Sequence, residues 1–190
     1  MAGRKLLLPY GETTVAGGSL RALLGSKVDE VIVVLGHDAE KVRQHLSDVS
    51  GEARGKGQPG RRLKFALNRR YKEGMFSSVL CGLAAAEDSA KAFVISLADQ
   101  PGVTSEAVDA VLAAFLEARK GIAVPTYEGR RGHPLVFHRR YRHEVERLDP
   151  EEGLRGLLSR HPDDVLEVPV ECAGVVRDID YWSDYAAERP

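Results

Sequence analysis

Residues 31–35 read Val-Ile-Val-Val-Leu, and residues 92–97 read Ala-Phe-Val-Ile-Ser-Leu. Both runs are short, apolar and continuous. A strand with one wet face alternates apolar and polar residues, whereas a strand covered on both faces does not. The two runs therefore predict a sheet with helices on each side. Weaker strand patterns lie at 63–67, 122–124, 135–137 and 165–168. Helical periodicity marks 15–24, 39–46, 77–86, 105–119, 141–148 and 154–160. In the fourth of these, Val108, Val111, Leu112, Phe115 and Leu116 share one face, and Thr104 is its N-cap. Strands alternating with helices specify an α/β three-layer sandwich with a mostly parallel sheet. The late strands, close together without long helices between them, suggest an antiparallel extension. The segment 47–62, rich in Gly, Arg and Lys, reads as a solvated loop with no catalytic role.

The length of 190 residues suits one domain, taken as 1–190. Lysine and arginine number 27 against 28 aspartates and glutamates, a balance that argues against a nucleic-acid binder. Two cysteines, Cys81 and Cys172, in no CxxC spacing give neither a zinc knuckle nor a redox pair. Such sparse use fits a reducing cytoplasm. The three leucines at 6–8 are too short for a leader, and no apolar run approaches the ~20 residues of a membrane span.

Four groups of residues carry possible chemistry. Asp99-Gln100-Pro101 follows the run 92–97, where parallel sheets collect ligands. Its carboxylate suits a metal or a turn cap. Asp178 and Asp180 alternate, so an extended segment points both the same way. They read as metal carboxylates or as a solvated acidic turn. Mg²⁺ takes one or two carboxylates and completes its shell with water and phosphate, a set that Asp99 and Asp180 would supply. From Asn68 a loop runs through Gly74 and Met75 to Ser77 and Ser78, which open a helix; this is an anion site or an ordinary serine cap. Gly132 and His133 follow Arg130 and Arg131 in a turn that would hold a phosphate or simply be solvated. No GxSxG elbow or HExxH spacing is present.

Taken in order, Lys5 to Pro9, the stretch from Val33 to Gly36 and His37, the loop from Asn68 to Ser78, Asp99 to Pro101, Gly132 to Pro134, and Asp178 to Asp180 resemble the molybdenum-cofactor cytidylyltransferase family. The resemblance covers nearly the whole chain. It implies a Rossmann-like nucleotidyltransferase that uses Mg²⁺ to transfer CMP from CTP to molybdopterin, with pyrophosphate released. It makes Lys5, Asp99 and Asp180 the catalytic set, with the metal on the two aspartates. Asn68, Gly74, Met75, Ser77, Ser78, Gln100, Pro101, Gly132 and His133 would line the nucleotide–pterin cleft. A molybdoenzyme or its chaperone is the implied protein partner. A non-catalytic carrier of the cofactor, or transfer to another phosphorylated acceptor, remain alternatives.

The family opens with a strand and a loop of the form Leu-Ala-Ala-Gly-x-Ser-x-Arg-Met-Gly. Met1 corresponds to the Met of that loop. The expectation is a sheet lacking one central strand, with an apolar slot and unpaired ladder groups. That loop also helps choose between cytosine and guanine.

Overall fold

A computed structural model of the chain describes residues 5–54 and 62–188. A 3-10 turn, Lys5–Leu7, leads into the hairpin β1 (Pro9–Tyr10) and β2 (Thr13–Thr14), then α1 (Val15–Gly25), β3 (Glu30–Leu35), α2 (Ala39–Arg54) and β4 (Arg62–Leu67). The middle of the chain forms α3 (Met75–Ala85), β5 (Ala92–Ile95), α4 (Ser105–Glu117), β6 (Ile122–Tyr127), β7 (Arg130–Arg131) and β8 (Leu135–His138). It closes with α5 (Arg142–Val145), α6 (Leu154–Arg160), β9 (Val165–Pro169) and α7 (Trp182–Glu188). The cap predicted for α4 is present, the Thr104 hydroxyl accepting from the Ala107 amide, and the Thr14 hydroxyl likewise accepts from the Gly17 amide to open α1.

The sheet is mixed. β3 and β4 pair in parallel, as do β6 and β9. β8 lies between β5 and β6 and runs antiparallel to both. Thus β5, β6 and β9 share one direction, with the antiparallel member inserted among them rather than added at the end. The layers follow from period-two alternation. Ile122, Val124, Leu135 and Phe137 turn to α3, α5 and α6, whereas Ala123 and Val136 turn to Val111 and Phe115 of α4. A third cluster joins Ala16 and Leu20 of α1 to Val31 and Leu35 of β3 and to α2.

Two corrections to the sequence reading have physical causes. The runs expected to be fully covered are only half-buried at Ile32, Val33, Val34, Val94 and Ile95, while β6 and β8 form the most buried strands. Among the described residues β3 pairs only with β4 and β5 only with β8, so each keeps one unpaired edge. Residues 47–54 are not loop but the second half of α2. Val42, Leu46 and Val49 repeat at helical spacing and are buried against α1 and β3, so burial outweighs the composition of the segment. Residues 55–61 lie outside the described part. Gly51 is exposed on this helix with open space around its Cα. Gly51→Ala is therefore expected to stabilise the chain by ~0.5–1 kcal/mol, raising Tm by about 1–4 °C in a thermal melt. An unchanged or lower Tm would contradict helix at this position.

Candidate active site

The loop that follows β5 and the C-terminal segment from Val175 to Tyr185 are tied together at the backbone. The Ile179 amide donates to the Asp99 carbonyl at 2.9 Å, and the His133 amide to the Val175 carbonyl at 2.8 Å. Ile179 is fully buried with Val15 and Tyr185, and the Tyr185 hydroxyl donates to the Pro9 carbonyl at 2.6 Å. The C-terminal segment thus docks on the N-terminal hairpin. With Ile179 turned inward, Asp178 and Asp180 turn the other way, toward residues 99 and 100. The backbone at Asp180 and Tyr181 is held in turn by the Asp184 carboxylate, at 3.0 and 2.7 Å.

This docking brings three charged side chains to one point. Lys5 Nζ lies 2.7 Å from Asp99 Oδ2 and 2.7 Å from Asp180 Oδ1. Burial acts to lower the Lys5 pKa, but the hydrogen bonds to Asp180 and Asp99 outweigh it and hold the ammonium above its usual value. Asp178 does not join this point. Its Oδ1 accepts from Gln100 Nε2 at 2.5 Å. Gln100 is almost wholly buried, and its Oε1 has no partner among the described residues. Pro101 is buried against Gly18 of α1.

Gly132 has no room for a side chain, since a Cβ there would stand 1.9 Å from the Val175 carbonyl oxygen. His133 beside it is half-buried. Desolvation lowers its pKa, partly offset by the Asp178 and Asp99 charges. Its imidazole is therefore neutral at pH 7. The unfolded chain protonates near pH ~6.5 while the folded chain resists, so this stability is complete above ~6.5 and is lost as pH falls through the folded value. Melting His133→Asn beside wild type from pH 7.5 to pH 5 is expected to show a smaller acid-induced drop in Tm for the variant. Parallel curves would remove His133 from the account.

The Asn68–Ser78 loop forms a second constellation. Buried Asn68 donates through Nδ2 to the Ser77 and Ser78 hydroxyls, at 2.9 and 3.0 Å, and accepts from the Arg70 amide. The Ser77 hydroxyl donates to the Gly74 carbonyl at 2.8 Å. Gly74 has φ +99°, a conformation that favours glycine. Met75 opens α3 with its side chain exposed. Among the described residues no hydrogen bond or ion pair joins this loop to the lysine–aspartate cluster. Gly36 abuts the Tyr71 ring, beside a hollow of about 100 Å³ lined partly by Leu6, Leu7 and His37.

The basic turn reads differently from its sequence. Arg131 is exposed and paired with Glu167 of β9 at 2.7 Å, so its guanidinium is already engaged. Sequence reasoning missed the anchoring work of Ile179, Asp184 and Tyr185. The one available signal was a buried-type isoleucine between two aspartates. Among the described residues no group of three His, Cys, Asp or Glu side chains converges on a metal position, and Asp99 and Asp180 are two carboxylates that meet at one point. Nor is any described helix long and apolar enough to cross a membrane.

The sequence profile of the MobA-like NTP transferase domain matches residues 1–165. Nicotine blue oxidoreductase of Paenarthrobacter nicotinovorans is 30% identical over 188 residues, covering 94% of this chain and 84% of that protein. The crystal structure of Rv0371C in complex with manganese, from Mycobacterium tuberculosis H37Rv, is 28% identical with a TM-score of 0.77, covering 99% of this chain and 92% of that one. The 4-diphosphocytidyl-2C-methyl-D-erythritol synthase of Anaerococcus prevotii shares the fold at a TM-score of 0.71 and 15% identity, over 99% of this chain and 93% of that one.

Proposed function

The chain belongs to the MobA-like NTP transferase family, and from that premise we propose that it is a cytidylyltransferase that moves CMP from CTP onto the terminal phosphate of molybdopterin. The observation that carries the reading is the convergence of Asp99 and Asp180 on one cationic point at the end of β5. Two carboxylate oxygens with the remaining positions left to water and phosphate are the donor set that Mg²⁺ accepts. Bound there, the metal would neutralise triphosphate charge and polarise the α-phosphorus. The Rv0371C structure with manganese supports a divalent ion in a relative of this fold.

The reaction asks little covalent chemistry of the protein. An acceptor phosphate oxygen forms a bond to the α-phosphorus of CTP, the bond from that phosphorus to the β-phosphate bridge breaks, and pyrophosphate leaves. The attacking phosphate is already an anion, so no side chain has to remove a proton. The residues align and neutralise instead. Lys5 supplies positive charge that can neutralise phosphate near the two aspartates. Asn68 holds Gly74, Ser77 and Ser78 in one geometry at the start of α3, where first-turn amides lack helical partners and suit a phosphate. Neutral His133, near Asp178 and Asp99, would stand on the pterin side of the cleft.

The test is pyrophosphate release from CTP in the presence of molybdopterin and Mg²⁺, with GTP in parallel. Trp182, the only tryptophan, stands two residues from Asp180, so its fluorescence is the probe for nucleotide binding in this test. Release with CTP above GTP supports the reading. Pterin binding without CTP binding would favour a cofactor carrier that docks on a molybdoenzyme. Release with a different phosphorylated acceptor would keep the chemistry and change the substrate.

A second reading comes from the relative with 30% identity, whose name is an oxidoreductase acting on nicotine blue. Turnover of nicotine blue by this chain in the presence of a reductant, and no pyrophosphate release, would favour it.

A further inference from the structure

We propose that Lys5 is an internal counter-cation that keeps the metal position filled until a triphosphate draws it away, so that metal and nucleotide enter this site together. The inference rests on the cytidylyltransferase reading and adds a regulation of the same site. Nζ is 2.7 Å from an oxygen of each aspartate, so the ammonium occupies the point on which both carboxylates converge. A divalent ion taking one oxygen from each would bind at about 2.0–2.1 Å and claim that same point. Two cations cannot share it.

The geometry also allows the lysine to leave. Its ammonium ends a flexible four-carbon stem, and the short turn Lys5–Leu7 that carries it has no buried residue. The Lys5 side chain is 16% exposed, whereas that of Asp180 is 57% exposed, so one face of the cluster opens to water. Released from the aspartates, the ammonium needs another anion within its reach. A triphosphate arriving with the metal provides one, and the lysine then neutralises phosphate instead of carboxylate. Without that anion, displacing Lys5 leaves a cation unpaired and opposes metal entry. Coupling of this kind is reciprocal: the metal raises nucleotide affinity by the factor by which the nucleotide raises metal affinity.

Mn²⁺ binding to the full chain, read from the paramagnetic signal of the free ion, tests the proposal. Lys5→Gln removes the competing charge and leaves two carboxylates facing each other. It is expected to bind Mn²⁺ about tenfold more tightly than wild type, a difference of ~1.4 kcal/mol. Adding Asp99→Asn to Lys5→Gln should abolish the gain. If Lys5→Gln binds no more tightly than wild type while Asp99→Asn still weakens binding, the role given to Lys5 is overturned and the metal reading stands. If neither protein shows saturable binding, both fall together. Wild-type protein gives an independent measurement. Acetylation of Lys5 by acetic anhydride, followed by peptide mass spectrometry, should accelerate several-fold on saturation with Mn²⁺, relative to exposed Lys72. An unchanged relative rate overturns the proposal even if Lys5→Gln fails to fold.

Discussion

Asp99→Asn is expected to reduce CMP transfer by about two to three orders of magnitude at saturating Mg²⁺, the effect of losing several kcal/mol of charge stabilisation at the reacting phosphate. The fold should survive. The amide has nearly the shape of the carboxylate, and the structural duty of residue 99 falls on its backbone, whose carbonyl accepts from the Ile179 amide. Asp180→Asn is expected to cost less than Asp99→Asn, because the Asp180 side chain is 57% exposed against 23% for Asp99 and water can replace part of its role. Steady-state kinetics beside a thermal melt separates chemistry from folding. Near-normal turnover in Asp99→Asn with excess Mg²⁺ would remove that residue from the metal set.

A large effect on stability is expected at Gly174. A Cβ on this residue would stand 2.1 Å from the Gly102 carbonyl carbon and oxygen and 2.6 Å from the Val103 amide nitrogen. All three are backbone atoms, so no side chain can rotate to make room. Gly174→Ala must push apart the turn that follows β9 and the loop that follows β5. It is expected to cost ~3 kcal/mol or more, lowering Tm by about 6–12 °C. Asp178 and Asp180 lie just beyond this turn, so the variant should also bind Mn²⁺ more weakly at temperatures where it remains folded. A Tm within a degree or two of wild type would show that the two loops are free to separate.

The comparison with Gly51 makes a general point about reading sequence. Two glycines look alike as letters, yet one is pressed between loops distant in sequence and the other faces solvent on a helix. The same limit explains why 47–54 reads as loop. Its local composition is polar with Gly51 in its middle, and the docking of Val49 on α1 and β3 makes helix the lower-energy state. It also explains the ranking of strands. Pro125 and Ala123 weaken the β signal of β6, yet that strand is the most buried because β8 and β9 flank it and helices cover both its faces.

Local sequence was sufficient for the features that depend on near neighbours. Continuous apolar runs required a sheet covered by helices, Thr104 capped α4, and the order of short motifs pointed to a nucleotidyltransferase. Alternation of Asp178 and Asp180 around Ile179 was legible too, as a consequence of extended backbone. Tertiary structure alone decided which carboxylate meets which partner. Asp180 shares Lys5 with Asp99, whereas Asp178 is taken by Gln100, because Ile179 is buried between Val15 and Tyr185 and fixes the angle of the segment. It also decided that Arg131 is tied to Glu167, and that β8 runs against its neighbours. The reason is physical: propensity and capping act over a turn or two of chain, whereas ion pairs and buried contacts are set by whatever the fold brings within a few ångströms, across any separation in sequence.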